Sequence, residues 1–333
     1  MKSNDEIAIE RLTRLLEPDV AGYVQQAAAR ALTKMVDDNE ANKAATVIAI
    51  VPLVRLLEPG NVCLQGSAAS ALRSITLENE ANKVAAGAAG AIEGLTRLLE
   101  PGNATVVQWA AVGALGNIAF NNAANQTAAG IAIPHLVRFF AEDNKPLQAV
   151  AVVAFGHIVA RHAANRALGA IAIAHLVRLL EPDNAGTHVD IVVAGIAKAL
   201  SDLATRNATN QASAGAAGAI EGLTRLMAPG NAALVQSFAA GALSNIVYGN
   251  AANQTAAGIA IAHLTCMLER DSVNLREIAV MALNVVVPRH AVNKALAASA
   301  VGPLARMLEP GNVGSYADVV IAAVKNTLGH LIG

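Results

Sequence analysis

Residues Gly90–Phe120 read GAIEGLTRLLEPGNATVVQWAAVGALGNIAF, and this stretch decides the fold. Apolar residues from Ile92 to Leu99 recur at helical spacing and stop at Glu100-Pro101-Gly102-Asn103. Proline cannot continue a backbone ladder and glycine tolerates the turn, which leaves Asn103 to cap the next helix. That helix is longer, expected over about Ala104 to Phe120, with Val106, Ala110, Ala114 and Ile118 on one stripe. Upstream, Asn79 is a suitable N-cap for a short Ala-rich helix, because its side-chain oxygen can accept an orphan backbone N–H. The unit is three helices separated by a cap, a junction and a turn.

The unit recurs along the chain. A leucine opening an L-x-x-L/M/F-L/M/F run stands at Leu12, Leu53, Leu95, Leu136, Leu176, Leu223, Leu264 and Leu304, at intervals of 41, 42, 41, 40, 47, 41 and 40. A second marker, an Asn with Lys, Gln or Arg directly after it, stands at Asn42, Asn82, Asn125, Asn165, Asn210, Asn253 and Asn293. Three residues earlier, Asn39, Asn79, Asn122, Asn207 and Asn250 supply the cap. Repeats are expected at about 1–38, 39–78, 79–121, 122–161, 162–206, 207–249, 250–289 and 290–333 of a single domain. No unit can cover its own apolar face, so neighbours must stack on it.

A longer period overlies the first. AGAAGAIEGLTRL at Ala86 recurs unchanged at Ala214, and AANQTAAGIAI at Ala123 recurs at Ala251, both 128 residues on. Block 79–206 is therefore duplicated as 207–333. The first unit of each block has a longer connection between helices 1 and 2. The third carries about five extra residues, around Asp183–Asp190 or Gly311–Asp318. Such regularity fits an engineered or recently expanded sequence as well as an old natural one.

Composition excludes several classes. The 333 residues are 54% hydrophobic but only 3% aromatic, which suits small, closely packed helices. With 24 basic and 25 acidic residues and a net charge of -1, nothing resembles the footprint of a nucleic-acid or anionic-membrane binder. The N-terminus carries acids and a capping box, Ser3 with Glu6, where a signal peptide would be apolar. Apolar runs such as Val150–Phe155 are too short to span a bilayer. Cys63 and Cys266 read as reduced thiols, and the expected location is cytoplasmic or nuclear.

Enzyme motifs for phosphate cradles, zinc proteases and dithiol chemistry are missing, so neither catalysis nor a cofactor is expected. Of the eight histidines, His135, His175 and His263 share one helix 2 position, and His162 and His290 share a cap position. Layers about 8 to 10 Å apart cannot bring them onto one metal, whose bonds are about 2 Å.

The pattern G-A-I-x-x-L, L-L-E-P-G-N and A-L-x-N-I-A resembles the armadillo repeat, over essentially the whole chain. Gly90-Ala91-Ile92, Gly218-Ala219-Ile220, Ala114–Ala119 and Ala242–Val247 carry the likeness. The resemblance implies an all-α, right-handed α-solenoid of about eight three-helix repeats, closest in type to importin-α and β-catenin. It also implies a concave groove lined by helix 3, where an amide late in that helix bonds an extended peptide. The matching positions here are Lys34, Ser74, Asn117, His157, Asp202, Asn245, Val285 and His330. One turn earlier, where importin-type members carry tryptophan, stand Arg30, Ser70, Gly113, Val153, Lys198, Gly241, Met281 and Asn326. The tryptophan ladder is missing, and the single Trp109 falls elsewhere on its helix. Arg30, Lys34 and Lys198 stand isolated, opposed by Asp202.

Two equivalent patches remain, Asn117 with Phe120 and Asn245 with Tyr248. Three layers of about 10 Å would separate them by about 30 Å, so an extended peptide would need anchors about nine residues apart. The expected partner is a protein or extended peptide gripped by a scaffold, with no nucleic acid and no membrane. Other readings are an assembly component, a nuclear-import receptor and a substrate-recognition segment of a ubiquitin ligase. Because the last helix ends without a polar cap, either a longer parent chain or end-to-end self-association through Leu328, Leu331 and Ile332 is expected.

Overall fold

The computed structural model describes residues 2–36, 39–185, 188–313 and 316–332. Parts of both five-residue insertions, at 186–187 and 314–315, lie outside the described residues, as do the ends of the first and last repeats at 37–38 and 333. No strand occurs among the described residues. The first repeat begins at helix 2, Asn4–Arg14, with the Ser3/Glu6 capping box formed.

Two compact units divide the chain, residues 1–168 and 169–333. In the first, the long third helices Gly22–Val36, Val62–Thr76, Thr105–Ala119 and Lys145–Val159 pack each on the next. In the second, Asp190–Ala204, Ala233–Val247, Val273–Val286 and Asp318–Ile332 do the same. The marker leucines from Leu53 to Leu304 are fully buried between layers, while Leu12, with no repeat before it, is half-buried.

Each junction is fixed by a specific side chain. Asn39, Asn79, Asn122, Asn207 and Asn250 cap helix 1 as expected, and His162 and His290 accept the same backbone N–H through Nδ1. Replacing Asn79 by alanine should cost about 1 kcal/mol, read as a lower urea midpoint at constant slope. Between helices 1 and 2 the backbone runs on through a short 3-10 turn in most repeats. In repeats 3 and 6 it breaks instead at Gly90 and Gly218, both left-handed, which accounts for the longer connection.

The second marker asparagine does more than keep the period. Asn82, Asn125, Asn165, Asn253 and Asn293 are buried, and each Nδ2 donates to two carbonyls. One ends the preceding helix 3 and the other lies in the previous repeat's helix 1: Ile75 and Lys43, Ile118 and Lys83, Ile158 and Gln126, Ile246 and Gln211, Val286 and Gln254. These amides tie layer to layer.

A second buried amide, the fourth residue of helix 3, closes the end of helix 2. Gln25, Gln65, Gln108, Gln148 and Gln236 donate to carbonyls that the helix end leaves unpaired, such as Leu16, Leu57 and Leu99. Repeats 5 and 8 carry Val193 and Ile321 at this position, and there an extra short helix, Pro182–Ala185 or Pro310–Val313, comes after helix 2.

Two local expectations are corrected. Asn103 does not cap helix 3, whose N-cap is Ala104; its amide turns back to the Arg97 and Glu100 carbonyls and secures the Pro-Gly turn. Val106 is 72% exposed while Ala110, Ala114 and Ile118 are buried. Steps of four residues drift about 40° on a helix of 3.6 residues per turn, and three such steps carry Val106 off the buried face.

Candidate helix 3 binding face

The thirteenth residue of every long helix falls in one register: Lys34, Ser74, Asn117, His157, Asp202, Asn245, Val285 and His330. Lys34 is exposed and the other seven are half-buried, so within each unit this row borders the surface. Its members differ in what they touch. Asn117 Nδ2 donates to the Arg73 carbonyl at 2.9 Å, and Asn245 Nδ2 to the Ser201 hydroxyl at 2.8 Å. His157 Nδ1 lies 3.1 Å from the Gly116 carbonyl. Asp202 is held by Lys198 at 2.6 Å.

The two aromatic patches are not alike in surroundings. Phe120 packs against the His157 ring at 4.5 Å between centroids, and Lys83 Nζ lies 5.2 Å from the Phe120 ring while donating to its carbonyl. Tyr248 remains 68% exposed, with Val285 in the register that His157 fills beside Phe120. The packing partner is set by the next repeat, which a single repeat's sequence does not disclose.

A cleft of the first unit lies on the same face. About 550 Å³ in volume, it is walled by Arg30 and Lys34 from repeat 1, Val62 and Cys63 from repeat 2, and Val106 and Trp109 from repeat 3. Trp109 stands outside the ladder register, at the fifth position of its helix and one turn before the ladder position, and it still lines the cleft. Arg73 explains the offset. Its guanidinium stacks 4.3 Å over the Trp109 ring, across Gly113, where a Cβ would come within 2.7 Å of the arginine side chain. Desolvation by burial lowers the Arg73 pKa from its ordinary value. Any side chain at position 113 would have to displace the Arg73 side chain.

A smaller recess of about 350 Å³ adjoins this cleft and shares Gln26, Arg30 and Lys34 with it. The two cations thus stand together at one site rather than isolated. The pairing of Arg30 with Lys34 follows from their four-residue spacing on one helix, but their meeting with Trp109 does not, because Trp109 comes from a helix two layers away. The recurrence of Gln25, Gln65, Gln108, Gln148 and Gln236 was a visible signal for the helix 2 closures.

Among the described residues, no three His, Cys, Asp or Glu side chains come together as metal ligands, and no helix is long and apolar enough to cross a membrane. Both cysteines are free, Cys63 exposed and Cys266 half-buried. Leu328 and Leu331 are half-buried and Ile332 is 72% exposed.

No protein-family model and no curated protein matches the chain. Solved structures do. A crystallised engineered protein from a structural genomics consortium is 24% identical, covers 98% of this chain and 89% of its own, and superposes with a TM-score of 0.79. Designed armadillo repeat protein YIII(Dq)4CqI is 23% identical over 71% of this chain and 99% of its own, at a TM-score of 0.64. Designed armadillo repeat protein YIII(Dq.V1)4CPAF, in complex with the peptide (KR)4, is 24% identical over 73% and 100%, at 0.63. Stacked three-helix units, joined by the layer-spanning amides and matched by these neighbours, give the chain the fold of an armadillo-type repeat solenoid.

Proposed function

We propose that this chain is a non-catalytic scaffold that holds an extended peptide or protein segment along its helix 3 faces. One observation carries the reading: in each unit, the thirteenth residues of four successive long helices form a row at the surface. Polar side chains such as Asn117 and Asn245 at regular spacing suit a peptide backbone, which offers donors and acceptors at regular spacing. The designed armadillo protein bound to (KR)4 supports the reading by likeness of fold.

Selection from a library of unstructured peptides displayed against the purified chain tests it. Selected ligands should bind at least tenfold more weakly when Asn117 and Asn245 are both alanine. They should be indifferent to Ile131→Ala, a 53% exposed residue at the junction of helices 1 and 2. Ligands that bind equally well to the double variant, or no ligand at all, would overturn the proposal.

A further inference from the structure

We propose that the cleft of repeats 1 to 3 takes an acidic peptide segment, its carboxylates meeting Arg30 and Lys34 and an apolar side chain lying among Val62, Val106 and Trp109. This rests on the peptide-binding reading and adds the ligand's chemistry and its place. Charge is the first argument. Arg30 and Lys34 stand one turn apart on helix 3 of repeat 1, a rise of about 6 Å, which suits two cations acting on one or two neighbouring carboxylates. Both are exposed, neither forms an ion pair with a described residue, and among the described residues no acid lines the cleft or the adjoining recess. At the same two registers in repeat 5, Lys198 and Asp202 neutralise each other at 2.6 Å. At these two registers repeat 1 therefore presents two cations without an ion partner among the described residues, where repeat 5 pairs a cation with an acid.

The second argument is the wall. Val106 is 72% and Val62 47% exposed, an apolar surface facing a concavity. Beside them the Trp109 ring is already stacked against the Arg73 guanidinium, which fixes it in place before a ligand arrives. An apolar side chain buried there would strengthen the carboxylate contacts by excluding water. A basic peptide such as (KR)4, bound by the designed neighbour, meets the wrong charge here. Nucleic acid is disfavoured because the cleft offers one aromatic side chain and three valines rather than a succession of rings on which bases stack.

Trp109 is the only tryptophan of the chain and Cys63 is an exposed thiol on the same cleft, so occupancy of this site can be read separately from binding elsewhere. The full chain is titrated with alternating glutamate-leucine, lysine-leucine and lysine-arginine octapeptides and with an eight-nucleotide oligothymidylate. Trp109 emission and the rate at which Cys63 reacts with a thiol reagent are monitored alongside total binding by anisotropy. The glutamate-leucine peptide should bind at least tenfold more tightly than either basic peptide, shift Trp109 emission and slow Cys63 labelling. The double variant Arg30→Ser/Lys34→Ser should lose at least tenfold of that affinity while keeping its helical spectrum.

Four results would overturn the assignment. Equal or tighter binding of a basic peptide removes the charge argument, and preferred oligothymidylate binding replaces the peptide by a nucleic acid. Library-selected peptides that bind without changing Trp109 or Cys63 sink the cleft assignment alone and leave the peptide-binding reading standing. Absence of binding by every peptide, selected or designed, sinks both.

Discussion

Replacing Asn125 with leucine is expected to lower the unfolding free energy by about 4 kcal/mol, since two buried carbonyls lose a donor at about 1–3 kcal/mol each. Asn125 Nδ2 reaches the Lys83 carbonyl at 2.9 Å and the Ile118 carbonyl at 3.0 Å, in helices 1 and 3 of repeat 3, while its own backbone belongs to helix 1 of repeat 4. Leucine fills the volume and offers no hydrogen, so the Ile118 carbonyl at its helix end loses its donor and the Lys83 carbonyl is left with its intrahelical bond alone. Stability in a stacked array is a sum of repeat terms and nearest-neighbour interface terms, and this side chain belongs to the interface term. The transition should therefore broaden as well as shift, with a smaller apparent urea slope as repeats on the two sides of the lesion unfold less cooperatively. Asn79→Ala, which removes one solvent-accessible cap, should shift the midpoint by far less and leave the slope alone. Equal effects from the two variants would show that the layer-spanning amide is no more than another cap.

The contrast between these two asparagines marks how far the sequence could be read. Asn79 and Asn82 stand three residues apart, and capping chemistry is local, so the role of Asn79 was legible from its neighbours. The partners of Asn82 are Ile75, seven residues back, and Lys43, in the previous repeat. The period exposed the position without its purpose. The three-helix unit and the registers of Lys34 to His330 were equally legible, because they depend on punctuation within one repeat, whereas the extra helices Pro182–Ala185 and Pro310–Val313 were not. Trp109 was not. Its place in the cleft depends on Arg73 lying across Gly113, a contact between helices of two repeats that a pattern aligned on ladder positions skips. Local chemistry transfers from sequence to structure; contacts between layers require knowing which side chains the stack brings opposite one another.

Gly215→Ala is the second variant for which a large loss is expected, about 3 kcal/mol, at the upper end of what overpacking by one methyl costs. Gly215 lies near the end of helix 1 of repeat 6, and a Cβ there would fall on Asn253 Oδ1. A free amide would swing aside. This one is held by Nδ2 bonds to the Gln211 and Ile246 carbonyls at 2.8 and 2.9 Å, so moving it forfeits both. Gly87 meets Asn125 in the same way one block earlier, and Gly87→Ala should match it. Gly130 and Gly258 face Asn165 and Asn293 with more space, 2.8 and 2.7 Å from the added Cβ to Oδ1, and should lose less. The grading tracks the backbone: helix 1 of repeats 3 and 6 stays α-helical to Ala88 and Ala216, whereas in repeats 4 and 7 it passes into a 3-10 turn at Gly130 and Ala257. Gly156→Ala provides the opposite sign. It is a helix-interior glycine with nothing within 4 Å of the added methyl, and alanine there should stabilise the chain by about 0.5 to 1 kcal/mol. Thermal or urea unfolding of the five variants should therefore place Gly156→Ala above the parent, Gly130→Ala and Gly258→Ala below it, and Gly87→Ala and Gly215→Ala lowest. Stabilisation by Gly215→Ala would mean that the asparagine is not pinned and that the layers are joined by apolar packing alone.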